Sequence, residues 1–138
     1  MTVNGITLGS DSPSQRIDLN TGSNVITIIV TAQDGMTKKR YTITAEVIPD
    51  IETMQKLVKN YTKSGELKES LSAQLYNSLE TARHMVDKNS YDKASKHLED
   101  FIKHLNSKAM DKFISEGARK SLNCSAGLLY GKWKNMNQ

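Results

Sequence analysis

A chain of 138 residues with 19 basic and 15 acidic side chains, net charge +4, has room for one ordinary domain or two small ones. Its one cysteine, Cys124, excludes an internal disulfide and a cysteine-rich metal cluster. No apolar run approaches membrane-spanning length, and the opening MTVNGITLGS has neither the basic nor the apolar region of a signal peptide.

Composition changes abruptly at Pro49. Nineteen of residues 1–49 are Thr, Ile or Val, against eight of residues 50–138, where Lys, Leu, Ser and Ala dominate. The predicted fold class is therefore α+β in two segments: an N-terminal antiparallel β-sheet over 1–48, then an antiparallel bundle of about four α-helices over 49–138. Residues 1–49 carry four basic and four acidic side chains, so the whole net charge of +4 belongs to the helical part. Its lysines, Lys56, Lys59 and Lys63, and Lys93, Lys96 and Lys103 with Glu99 and Asp100, recur at helical spacing and read as solvated faces. With only Arg83 and Arg119 there and no concentrated basic stripe beside aromatics, no nucleic-acid partner is expected, nor is membrane insertion.

Four strand-like runs are predicted. The first covers Thr2 to Leu8, broken at Asn4-Gly5, and the second covers Gln15 to Leu19. After a turn over Asn20 to Asn24, the third run, Asn24 to Ala32, places Ile26, Ile28, Val30 and Ala32 on one face and Val25, Thr27, Ile29 and Thr31 on the other. Asp34-Gly35 marks a hairpin. The fourth run, Arg40 to Val47, alternates Tyr41, Ile43, Ala45 and Val47 with Thr42, Thr44 and Glu46.

Pro49 ends the strands, and Asp50 is suited to cap a helix running through Ile51, Met54, Leu57, Val58 and Tyr61 to a stop at Ser64-Gly65. A second helix reads from about Lys68 to Lys88 through Leu71, Leu75, Leu79, Ala82, Met85 and Val86. Asn89 closes it, and Ser90 is the expected cap of a third, Tyr91 to Leu105, with Ala94, Leu98, Phe101, Ile102 and Leu105 inward. Ser107 or Ser115 starts a last helical stretch carrying Met110, Phe113, Ile114, Ala118, Leu122, Leu129 and Trp133. Cys124, between Leu122 and Leu128, is expected as a small buried hydrophobe.

The strands resemble the closing half of the bacterial cadherin-like β-sandwich domain, on Val3-Asn4-Gly5, the block Leu19 to Gly35, and Tyr41 to Thr44. A domain of that family is about twice as long, so the resemblance implies a partial sandwich missing its first strands, with Met1 a fragment start. It would leave Ile17, Leu19, Ile26, Ile28, Val30, Tyr41, Ile43 and Val47 on an open face. That face is expected to be covered by the helical segment or by a second copy of the chain. Residues 56–133 resemble the FIMAH domain, most strongly at Gly65-Glu66-Leu67, at Ala94 to Asn106, and at Ile114-Ser115 with Ala118. This second resemblance implies a non-catalytic accessory module at the C-terminal end of a secreted or surface protein of Gram-positive bacteria, behind a hydrolase or lyase.

Candidate chemistry is sparse. His97 and His104 lie two turns apart on one helix with Phe101 between them, and His84 could approach from the helix before. A metal prefers i, i+4 ligands, so the expectation is that these imidazoles edge the core and bond across helices, with no metal and no cofactor. Glu99 and Asp100 diverge by about 100° and cannot flank one bond. Tyr61, Tyr76, Tyr91, Tyr130 and Trp133 are spread over four helices and read as core or rim residues rather than a sugar platform. Asn60-Tyr61-Thr62 and Asn123-Cys124-Ser125 match a glycosylation sequon that carries little meaning in a bacterial chain. No catalytic residue is assigned; His97, His104, Tyr130 and Trp133 are the candidate ligand contacts. The expected partner is a cell-wall or polysaccharide surface, or another protein domain, including a second copy through the open sheet face.

Overall fold

A tight turn starts the chain. Asn4 and Gly5 both take positive φ, 47° and 83°, the conformation that joins two strands through a two-residue loop. In the computed structural model, which describes residues 1–9, 12–13 and 15–136, this turn divides the first predicted run into β1 (Thr2–Val3) and β2 (Ile6–Thr7). Asn4 also grips the next strand, because its N–H donates to the Thr27 carbonyl and its Oδ1 accepts from the Thr27 N–H, each at 2.9 Å. β3 (Gly22–Thr31) and β4 (Lys38–Val47) follow, and the four strands form one antiparallel sheet in the order β2-β1-β3-β4.

Asn24 builds the turn before β3, its side-chain amide donating to the carbonyls of Asn20 and Gly22. Asp34 builds the β3–β4 loop: its carboxylate accepts from the N–H groups of Met36 and Thr37 and from the Thr37 hydroxyl, while Gly35 takes φ 71°. These bonds, the Thr37 hydroxyl foremost, hold the Asp34 carboxyl below the usual carboxylate range.

The register pairs Ile26 with Ile43, Ile28 with Tyr41, Val3 with Ile28 and Ile6 with Val3, so Ile6, Val3, Ile28 and Tyr41 form an apolar row across all four strands. The opposite face carries Thr2, Thr7, Val25, Thr27, Ile29, Arg40, Thr42, Thr44 and Glu46. Tyr41 and Ile43, 47% and 50% exposed, stand on the apolar face.

Residues 15–19 overturn one expectation: this segment forms no strand. Two alternating apolar residues are a thin strand signal, and a strand also needs a neighbouring edge to pair with. Instead Ile17, half-buried, joins Val3, Ile6 and Leu8 around a small cavity of about 130 Å³.

The chain separates into two units, Met1–Val47 and Ile48–Gln138. In the second, α1 (Ile51–Ser64) is capped by Asp50, whose Oδ1 accepts from the Thr53 N–H at 2.7 Å. It ends at Gly65, which takes φ 82°. α2 (Glu69–Asp87) closes through Asn89 at φ 54°, and α3 (Tyr91–Leu105) follows at once. Ser90 occupies the expected cap position, but its side chain makes no capping bond; its backbone ψ of 65° lies outside the extended region that normally aims a capping hydroxyl at the first turn.

A short 3₁₀ segment, Lys108–Phe113, then leads to α4 (Glu116–Met136), where Ser115 Oγ accepts from the Ala118 N–H. Loops this short place consecutive helices antiparallel. Among the described residues, no helix is long and apolar enough to cross a membrane.

The core runs the length of this bundle through Met54, Leu71, Leu75, Leu79, Leu98, Phe101, Leu105, Leu122 and Leu129, each at most 2% exposed. Cys124 departs from expectation and is exposed. The inward stripe of α4 is Ala118, Leu122, Ser125, Ala126, Leu129 and Trp133, so Ser125 holds the core position and Cys124, about 100° round the helix, faces outward. Asn106 and Asn123 exchange reciprocal amide hydrogen bonds of 2.7 and 2.8 Å, which fasten the end of α3 to α4 and engage the sequon asparagine.

Candidate functional site

Two of the three segments that carry the FIMAH resemblance, Gly65-Glu66-Leu67 and Ile114-Ser115, meet in the structure. Leu67 pairs with Ile114 in an isolated antiparallel bridge: Lys68 N–H donates to the Phe113 carbonyl and Ser115 N–H to the Glu66 carbonyl, at 2.8 and 2.7 Å. The Glu66 carboxylate accepts from the hydroxyls of Ser64 and Ser115, while Leu67 and Ile114 are buried. A clasp therefore joins the α1–α2 loop to the loop before α4, with Gly65 supplying the left-handed turn that lets the chain enter it.

The candidate ligand contacts do not converge. His97 is half-buried. His104 is exposed, and its Nδ1 bonds the Asp100 carbonyl of its own helix at 3.0 Å rather than a neighbouring helix. His84, on α2, is exposed. Among the described residues, no group of three or more His, Cys, Asp or Glu is placed to hold a metal ion. Tyr130 is half-buried under the Lys134 ammonium, and Trp133 is part of the core. Trp133 also lines a cleft of about 210 Å³ at one end of the bundle with Asp50, Ile51, Tyr91 and Met136; the other three candidates lie outside it.

A different feature gathers polar side chains. Three contacts run along the α1–α2 seam: the Gln55 amide donates to Glu80 Oε2 at 2.7 Å, Lys59 Nζ sits 5.0 Å from the centre of the Tyr76 ring, and the Thr62 hydroxyl donates to Ser72 Oγ at 2.8 Å. As the α1 number rises the α2 number falls, the register of two antiparallel helices. Outside this seam lies an open groove that fills two adjoining volumes of about 400 and 510 Å³. Lys56, Lys59, Asn60 and Lys63 line it from α1, and Glu69, Ser72, Tyr76 and Asn77 from α2. Three ammonium groups against one carboxylate make it locally positive.

By helical spacing alone the lysines of α1 and α3 read alike, as solvated faces. On α3 that is right: Lys103 lies 3.5 and 4.0 Å from Glu99 and Asp100, all exposed. On α1, Lys59 and Lys63 have no carboxylate three or four residues away within the helix, so nothing on their own helix offsets their charge. That missing partner was the available signal. Tyr76 could not be told from the core-facing tyrosines by spacing alone.

The described helices of the second unit form an antiparallel four-helix bundle, a class of fold to which sequence comparison adds a family. The chain belongs to the FIMAH family, whose domain model matches residues 51–130. The model of the cadherin-like beta sandwich domain matches residues 1–47, immediately before it. No curated protein matches the chain.

Proposed function

We propose that this chain is a non-catalytic tail that holds a longer secreted or surface protein, a hydrolase or lyase of a Gram-positive bacterium, against cell wall or polysaccharide. The observation that supports this reading is the lysine-lined α1–α2 groove. Long polymers reward such a site, because a weak contact repeated along a chain raises the overall attachment.

The test is co-sedimentation of the intact chain with purified cell walls and with insoluble plant and host polysaccharides at low and high salt. Retention that weakens as salt screens the lysines is the expected outcome. Failure with every polymer removes the anchoring role.

A second reading, attachment to another protein domain or to a second copy, is favoured by the apolar row through Ile28 and Tyr41, flanked by Ile6 and Ile43 at half exposure. Association through that face would be insensitive to salt. Sedimentation velocity across a range of concentrations separates the two, since the anchoring reading does not require a dimer.

A further inference from the structure

We propose that the α1–α2 groove is a binding site for a polymer of carboxylated sugars, a uronic acid chain. This rests on the reading of the chain as a polysaccharide-holding tail and names the ligand its groove takes. Lys56, Lys59 and Lys63 follow one another along α1 at i, i+3 and i+7, which sets their Cα atoms about 4.5 and 6 Å apart along the helix axis. That is about the length of one sugar unit in an extended pyranose chain, so the row of ammonium groups runs on the same length scale as the carboxylates of a uronic acid chain. Each ammonium is a compact point charge with three donors, suited to a carboxylate held on a ring.

The rest of the groove suits the uncharged part of a sugar. The Thr62–Ser72 hydroxyl pair and the amides of Asn60 and Asn77 offer donors and acceptors to ring hydroxyls, and Glu69 accepts from them. Tyr76, which is half-buried and carries the Lys59 ammonium over its ring, gives an aromatic wall for sugar C–H groups.

The test uses the whole chain on affinity gels containing polygalacturonate, its methyl ester, or inorganic polyphosphate. Polygalacturonate should retard the protein and the methyl ester should not. The exposed triple variant Lys56→Gln, Lys59→Gln, Lys63→Gln should lose about tenfold or more in affinity while its melting curve is unchanged. The triple Lys93→Gln, Lys96→Gln, Lys103→Gln removes the same charge from α3 and should bind as the parent does.

Equal retardation by the methyl ester, equal or tighter binding of polyphosphate, or equal loss in both triples would overturn the proposal. If the groove triple still sediments fully with cell walls, the uronate site falls and the anchoring reading stands. If the parent is retained by no wall and no polysaccharide, both fall.

Discussion

Leu67 lies in a loop by sequence, where a substitution ordinarily changes stability by less than about 0.5 kcal/mol. In the structure it is 1% exposed and belongs to the core, held there by the bridge to Ile114. Leu67→Ala removes three carbons from a packed site and leaves a cavity, a change that costs about 3 kcal/mol within a range of roughly 2 to 5. For a unit of about ninety residues, each kcal/mol lowers the melting temperature by roughly 4 to 8 °C, so the expected drop is about 12 to 24 °C. Circular dichroism of the intact chain at the helical minimum, in heat and in urea, reads this directly. The urea slope should not change, because the surface exposed on unfolding is the same. A loss below about 1 kcal/mol would refute the clasp as a structural element. It would return Gly65-Glu66-Leu67 to being a surface motif kept for contact with a ligand.

Three further outcomes follow from the same helical unit. Gly65→Ala meets no steric obstacle at its Cβ but forces an alanine to φ 82°, so it should cost about 1 kcal/mol by urea titration, from backbone strain alone. Asp50→Ala should cost about 1 kcal/mol at neutral pH through loss of the α1 cap. The Asp50 carboxyl is held below its ordinary range, chiefly by the Thr53 side chain and then its N–H. Its contribution is therefore complete above the ordinary carboxylate pKa and fades as pH falls through that value toward the lowered one. The gap between parent and variant should accordingly close below about pH 4, and a gap that widens in acid would be contrary. Cys124 should react with a thiol reagent in the native protein, while Ser125→Cys in a Cys124→Ser background should be protected until the bundle opens.

Much of the helical unit was legible because its signals are local and agree with one another. Asp50 marks a helix start through its side-chain bond from the Thr53 N–H, and Gly65 and Asn89 mark helix ends through a left-handed backbone that few residues favour. The apolar spacing of α1 to α3 also has one consistent period. Predictions failed where a local signal was short or where a polar and an apolar residue compete for one slot. Ile17 and Leu19 alternate like a strand, but pairing is a tertiary property, and residues 15–19 form no strand. Cys124 is the more hydrophobic neighbour of Ser125, yet helix phase, set by Leu122 and Leu129, puts Ser125 inside. Ser90 has the right identity for a cap and the wrong backbone angle to act as one. Neither the clasp nor the groove could be read from one helix, since Glu66 meets Ser115 across 49 residues and Lys59 meets Tyr76 only once α2 folds back on α1.

Titration of the intact chain with a short oligogalacturonate, followed through its backbone amide shifts, locates the binding site residue by residue. The largest changes should cluster at Lys56–Lys63 on α1 and Glu69–Asn77 on α2 and vanish at high salt. Changes centred on β4, or on the Trp133 end of α4, would contradict that location.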